Sequence, residues 1–158
     1  MNHNALRRDT SAAATELGYI FTFLLGVLLL TMFSLWAWDI ETATRERWNE
    51  NAIQANMDDL AAAVERADEA SRMGAVDYAE RVEWRLTEAD ESRMTIILTD
   101  TNIELIHDTG DLDTNVSISG TGAGRHEGTL TLSGIDSIWV VHYQGVTSIE
   151  YDRPQHQQ

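Results

Sequence analysis

The stretch Leu17–Trp38, LGYIFTFLLGVLLLTMFSLWAW, decides the architecture, because its 22 residues include no charge. As an α-helix it rises about 33 Å, enough for the roughly 30 Å hydrocarbon core of a bilayer. Arg7 and Arg8 precede it, whereas Asp39 and Glu41 follow it before Arg45 and Arg47 are reached. Positive residues beside a span are retained in the cytoplasm. The expectation is therefore a single-pass membrane protein with a cytoplasmic N-terminus and an extracellular C-terminal domain, in contact with membrane lipid along this helix. Trp36 and Trp38 fall at the outer interface, where a ring is half solvated. Removal as a secretory signal is the alternative, since Ser34 and Ala37 loosely resemble a cleavage region. Against it, the run exceeds the usual apolar region of a signal and its helical pattern continues beyond Trp38.

Outward from this segment, the composition narrows the setting. There are 26 acidic residues against 11 basic ones, a formal net charge of -15, and every basic residue is Arg. Such a surface repels nucleic acid and anionic headgroups at ordinary salt, so no nucleic-acid partner is expected. It suits concentrated salt, where self-repulsion is screened to short range, and with the absence of Lys it favours a halophilic archaeal cell surface. The chain has no cysteine, which excludes a disulfide framework, a thiolate nucleophile and a cysteine-held metal.

The helical signal extends past the membrane. Ile53, Met57, Leu60, Val64 and Ala67 recur at steps of three and four, with Asp58, Asp59, Glu65, Arg66 and Glu69 around the remaining surface. That stripe packs against the domain or, alternatively, against a coiled-coil partner or neighbouring subunit. No proline interrupts Ala12–Arg72, and Gly74 is a helix stop. Uninterrupted, the element is about 90 Å long, with its bend expected around Thr42, Thr44 and Asn49–Asn51.

After Gly74 the period shortens to two. Val76, Tyr78, Val82, Trp84 and Leu86 alternate with Glu83 and Arg85, and strands follow at 93–98, 102–107, 115–119, 129–132, 137–143 and 146–151. Thr99–Thr101 and Gln144–Gly145 are tight connections, and Gly120, Gly122, Gly124 and Gly128 mark a looser one. The fold class is α+β: a long N-terminal helix, membrane-spanning and then amphipathic, followed by a small antiparallel all-β domain of about seven strands. The domain organisation reads as a positively charged leader at 1–9, a helix at 10–73 with its transmembrane segment at 17–38, a β domain at 74–152 and a frayed tail at 153–158.

This layout resembles the type IV pilin-like superfamily, especially haloarchaeal minor or pilin-like membrane proteins. The resemblance rests on Arg7-Arg8-Asp9-Thr10-Ser11, on Glu16-Leu17-Gly18-Tyr19-Ile20, on the apolar run through Trp38, and on a β domain ending Val146–Tyr151. It implies a class III signal peptide removed by a prepilin peptidase after Asp9, leaving Thr10 first. It also implies packing with other pilin-like subunits through the N-terminal helix. Asp9 stands where the family has a small uncharged residue. By the same resemblance Glu16 pairs with the free ammonium of a neighbouring subunit, two places later than the family's acidic position. The reading from the residues alone is a wet interfacial carboxylate, since an isolated charge in the membrane costs several kcal/mol.

Other motifs are weaker. Asp108, Asp111 and Asp113, with Thr109 and Asn115, supply hard oxygen ligands without the spacing of a calcium loop, and read as a solvated charge cluster; no metal and no cofactor are expected. Gly120–Gly124 lacks the Lys and the strand-to-helix setting of a phosphate loop. His107, His126 and His142 are far apart in sequence and pair with no nucleophile motif, so they read as strand or loop residues and no enzyme is expected. Asn115-Val116-Ser117 fits the N-glycosylation acceptor pattern. The expected function is a structural pilin-like subunit of a cell-surface filament; the alternative is a membrane-anchored extracellular binding or adhesion module that does not polymerise.

Overall fold

The computed structural model describes residues 3–74, 77–119 and 124–154, with side chains described from Glu16 onward. The long helix is present: α1 spans His3–Arg72. Helix continues through Thr42, Thr44 and Asn49–Asn51, where a bend was expected. The chain divides into two compact units, Met1–Thr44 and Arg45–Gln158, so the boundary falls inside α1 rather than after it.

Among the described residues the first unit is helix alone. From Glu16 to Thr44 every side chain is exposed, and this helix is long and apolar enough to cross a membrane.

In the second unit the remaining part of α1 is followed by β1 (Asp77–Glu83), a short 3-10 turn at Glu91–Arg93, β2 (Met94–Leu98), β3 (Asn102–His107), β4 (Thr114–Ser117), β5 (Arg125–Thr131), β6 (Ser137–Tyr143) and β7 (Val146–Glu150). The strands make one sheet in the order β1-β6-β7-β5-β2-β3-β4. Every pair is antiparallel except β5–β7, which run parallel. The seven expected strands are thus present, and the one parallel pairing among the described residues joins the β6–β7 and β2–β3 hairpins into a single layer.

The period-two pattern explains which face is covered. Met94, Ile96 and Leu98 of β2, Ile103 and Leu105 of β3, Ile138 and Val140 of β6 and Ile149 of β7 are buried. They share one core with Ile53, Met57, Leu60, Val64 and Ala67 of α1. The stripe read from the sequence therefore packs on the chain's own sheet, while Asp58, Asp59, Glu65 and Arg66 face water. Each large side chain in this core gives about 1.5–3 kcal/mol on burial.

The ends of the elements follow local chemistry. Gly74 takes φ 93 and donates its N–H to the Ser71 carbonyl at 3.0 Å, satisfying a helix-end acceptor with the residue that adopts this conformation freely. Gln144 and Gly145 have φ 51 and 81, the left-handed pair that a two-residue hairpin requires. β1 stops at Glu83, earlier than the alternation through Leu86 suggests, because its partner β6 begins at Ser137. Trp84 N–H to Asp136 O, at 2.9 Å, continues the ladder by one bond. At the other end, Arg153 lies 6.0 Å from the centre of the Trp139 ring and Pro154 is buried, so the described chain remains packed beyond β7.

Candidate functional site

Two regions carry the chain's unusual chemistry: the apolar part of α1, and a buried polar row in the second unit.

Along the apolar segment, Phe21, Phe23, Leu24, Leu28, Leu30, Phe33 and Trp36 are all more than half exposed. Water is a poor solvent for such a surface, and contiguous apolar patches of this extent mark membrane or partner contact. Three of its side-chain hydroxyls are internally satisfied. The hydroxyls of Thr22, Thr31 and Ser34 each donate to the carbonyl four residues earlier at 2.9 Å. That removes the free donors which hydrocarbon would penalise. Arg7, Arg8, Asp9 and Thr10 lie on the helical backbone, but their side chains are outside the described residues. Glu16 is exposed and forms no ion pair among the described residues.

The second region depends on strand register. His126 of β5 pairs with Thr147 of β7, and Thr147 pairs with His142 of β6, so the three share one row on the face beneath α1. Asp68 of α1 completes it. Its Oδ2 and Oδ1 lie 2.9 and 3.0 Å from His126 Nε2, and Oδ1 accepts the Thr147 hydroxyl at 3.1 Å. His142 Nδ1 lies 2.9 Å from Thr147 Oγ1. All four residues are buried. Among the described residues His126 Nδ1 has no hydrogen-bond partner, with Asp100 Oδ1 at 3.6 Å; the same Asp100 oxygen accepts the His126 backbone N–H at 2.7 Å.

Asp68 was not singled out in the sequence, and nothing there distinguishes it from the other carboxylates of α1. Its signal is positional: it falls one residue after Ala67 on the buried stripe. Burying a carboxylate is unfavourable unless it is hydrogen-bonded, and His126 and Thr147 supply those bonds. The side chains of His126 and Asp68 are only 1% and 2% exposed. What the row does is bind the helix to three strands.

Around this row, further polar contacts fix the helix on the sheet. Asn56, fully buried, donates to the Arg85 carbonyl at 2.8 Å and accepts the Arg85 N–H at 2.9 Å. Arg66 makes a two-pronged contact with Glu80 of β1, at 3.0 Å from Nε and 2.6 Å from Nη2. Tyr78 donates to the same carboxylate at 2.6 Å. The Arg66 hydrogen bond holds the Glu80 carboxyl below its ordinary range, while desolvation raises the Tyr78 phenol.

The remaining residues marked in the sequence stay apart. Asp113 accepts the His107 N–H at 2.7 Å, and Asp108 reaches Arg93 at 3.9 Å. Among the described residues no three His, Asp or Glu side chains converge as metal ligands. His107 Nδ1 contacts Thr109 Oγ1 at 2.8 Å at the exposed end of β3. Gly120–Ala123 lie outside the described residues. Asn115 stands exposed on β4, beside a depression of about 420 Å³ that Glu104, Ile106 and Asp113 help to line.

Comparison with protein-family models, curated proteins and solved structures finds no match to the chain.

Proposed function

We propose that the chain is a pilin-like structural subunit, held in the membrane by α1 with its N-terminus in the cytoplasm, that contributes to an extracellular filament or related surface assembly. The observation that carries this reading is the division of labour along one helix. The same α1 is exposed and apolar over Leu17–Trp38 and becomes the spine of a packed β domain from Ile53 onward. A helix of the first kind moves between lipid and a helical bundle without a large change in apolar exposure, so packing and accessory proteins decide where it resides. The Arg7-Arg8 leader supports the orientation and the requirement for a prepilin peptidase. Glu16, exposed within the approach to the apolar run, is the group offered to the free ammonium of a neighbouring copy.

The test is intact-mass and N-terminal analysis of the native membrane protein from cells with and without the prepilin peptidase. A terminus at Thr10 that appears only with the peptidase supports the reading. Retention of the leader in both strains leaves an anchored binding module in its place, and a terminus near Asp39 in both identifies a secretory signal.

A further inference from the structure

We infer that Asn115 is an N-glycosylation site whose glycan closes the free edge of the sheet at β4. The inference rests on the extracellular placement of this unit proposed above. Its structural basis is the contrast between the two edges. An unpaired strand edge is a template for association with another chain unless charge, brevity or a cover blocks it. β1, at one edge, carries Asp77, Glu80, Arg81 and Glu83. β4, at the other, is Thr-Asn-Val-Ser and carries no charge.

Within β4 the acceptor triplet is presented outward. Asn115-Val116-Ser117 is the only Asn-X-Ser/Thr triplet in the chain. Strand alternation exposes Asn115 and Ser117 together, while Thr114 and Val116 turn to the opposite face and are partly covered. Asn49, Asn56 and Asn102 use their side-chain amides in hydrogen bonds. The Asn115 amide and the Ser117 hydroxyl make none among the described residues. A substituent on the Asn115 nitrogen therefore displaces no contact.

The neighbouring surface suits a sugar. Asn115 is opposite Glu104 in the β3–β4 register, and Ile106, two residues along β3 on the same face, is 43% exposed. The depression of about 420 Å³ beside Asn115 is lined by Ile106 and by the carboxylates of Glu104 and Asp113. The first pyranose covers Ile106 with its apolar face and its hydroxyls donate to the carboxylate oxygens, which only accept, while the rest of the glycan overhangs the unpaired side of β4. In the transfer itself, the Asn115 amide nitrogen forms a bond to the anomeric carbon of a lipid-linked oligosaccharide. The bond from that carbon to the lipid phosphate oxygen breaks, the phosphate leaves with the electron pair, and the amide loses one proton.

The experiment is mass spectrometry of the Met94–Arg125 tryptic peptide from the native full-length protein, alongside Asn115→Gln, Ser117→Ala and Ser117→Thr. The expected result is a saccharide mass increment on the wild-type peptide, retained in Ser117→Thr and lost in the other two. In parallel, Asp152→Cys in this cysteine-free chain is labelled on intact cells with a membrane-impermeant maleimide. An unmodified Asn115 peptide overturns the inference in either case. With labelled Cys, glycosylation alone has failed; without labelling, the extracellular placement has failed too.

Discussion

Replacing Asp68 by Ala removes the acceptor that organises the buried row. Two contacts from His126 Nε2, at 2.9 and 3.0 Å, and one hydroxyl bond from Thr147, at 3.1 Å, end on that carboxylate. In Asp68→Ala the Nε2–H and the Thr147 hydroxyl are left without an acceptor among buried residues, next to an Nδ1 with no hydrogen-bond partner among the described residues. Each buried donor left unsatisfied costs about 1.5–2.5 kcal/mol, so the two together cost about 3–5 kcal/mol. A domain's stability is about 5–15 kcal/mol. With a urea slope of about 2 kcal/mol/M, the midpoint falls by about 1.5–2.5 M. The assay is urea unfolding of the full chain in nonionic detergent, followed by far-ultraviolet circular dichroism, with His126→Ala and the double variant completing a cycle. A coupling energy of about 1–3 kcal/mol is expected for residues in one network. A loss below about 1 kcal/mol for Asp68→Ala, the value of an exposed ion pair, refutes the reasoning.

Gly128→Ala places a methyl group against Ile149 Cγ1 on the adjacent strand, and overpacking of this kind costs about 1–3 kcal/mol, read as a lowered urea midpoint. Glu80 is held below its ordinary value of 4.5 by Arg66, so its contribution is complete above that value and is lost as pH falls through the depressed folded-state value. Stability measured from pH 6 downward therefore declines less in Glu80→Gln than in the wild type over that acid range, and equal slopes contradict the assignment. Leu28→Arg adds a penalty of about 2.5–3.5 kcal/mol near the centre of the apolar segment; the protein then shifts from the carbonate-resistant membrane pellet into the soluble fraction.

The sequence made the periodic elements legible because periodicity reports burial directly. The step of three and four from Ile53 to Ala67 places those residues in the core, and the strand expected at 137–143 matches the bounds of β6. Gly74 and Gln144-Gly145 were legible because their positive φ values favour few residue types. The first half of β5 was not. Arg125, Glu127 and Gly128 interrupt its apolar signal, and that half is held by parallel pairing to β7, a contact set by topology rather than by local pattern. The buried row was hidden for the same reason. Asp68, His126, His142 and Thr147 become neighbours only through two registers and a helix crossing. Each alone reads as an ordinary polar residue.

The most direct test of the central claim, that the apolar part of α1 packs against other copies outside the membrane, uses the absence of native cysteine. Single cysteines are placed in turn at each position from Leu24 to Leu30, and oxidative cross-linking is scored in the extracellular fraction sheared from intact cells. Disulfide-linked dimers in that fraction, at positions recurring with the helical period of 3.6 residues, are the predicted result. Retention of every variant in the membrane fraction, with only monomer after oxidation, contradicts it.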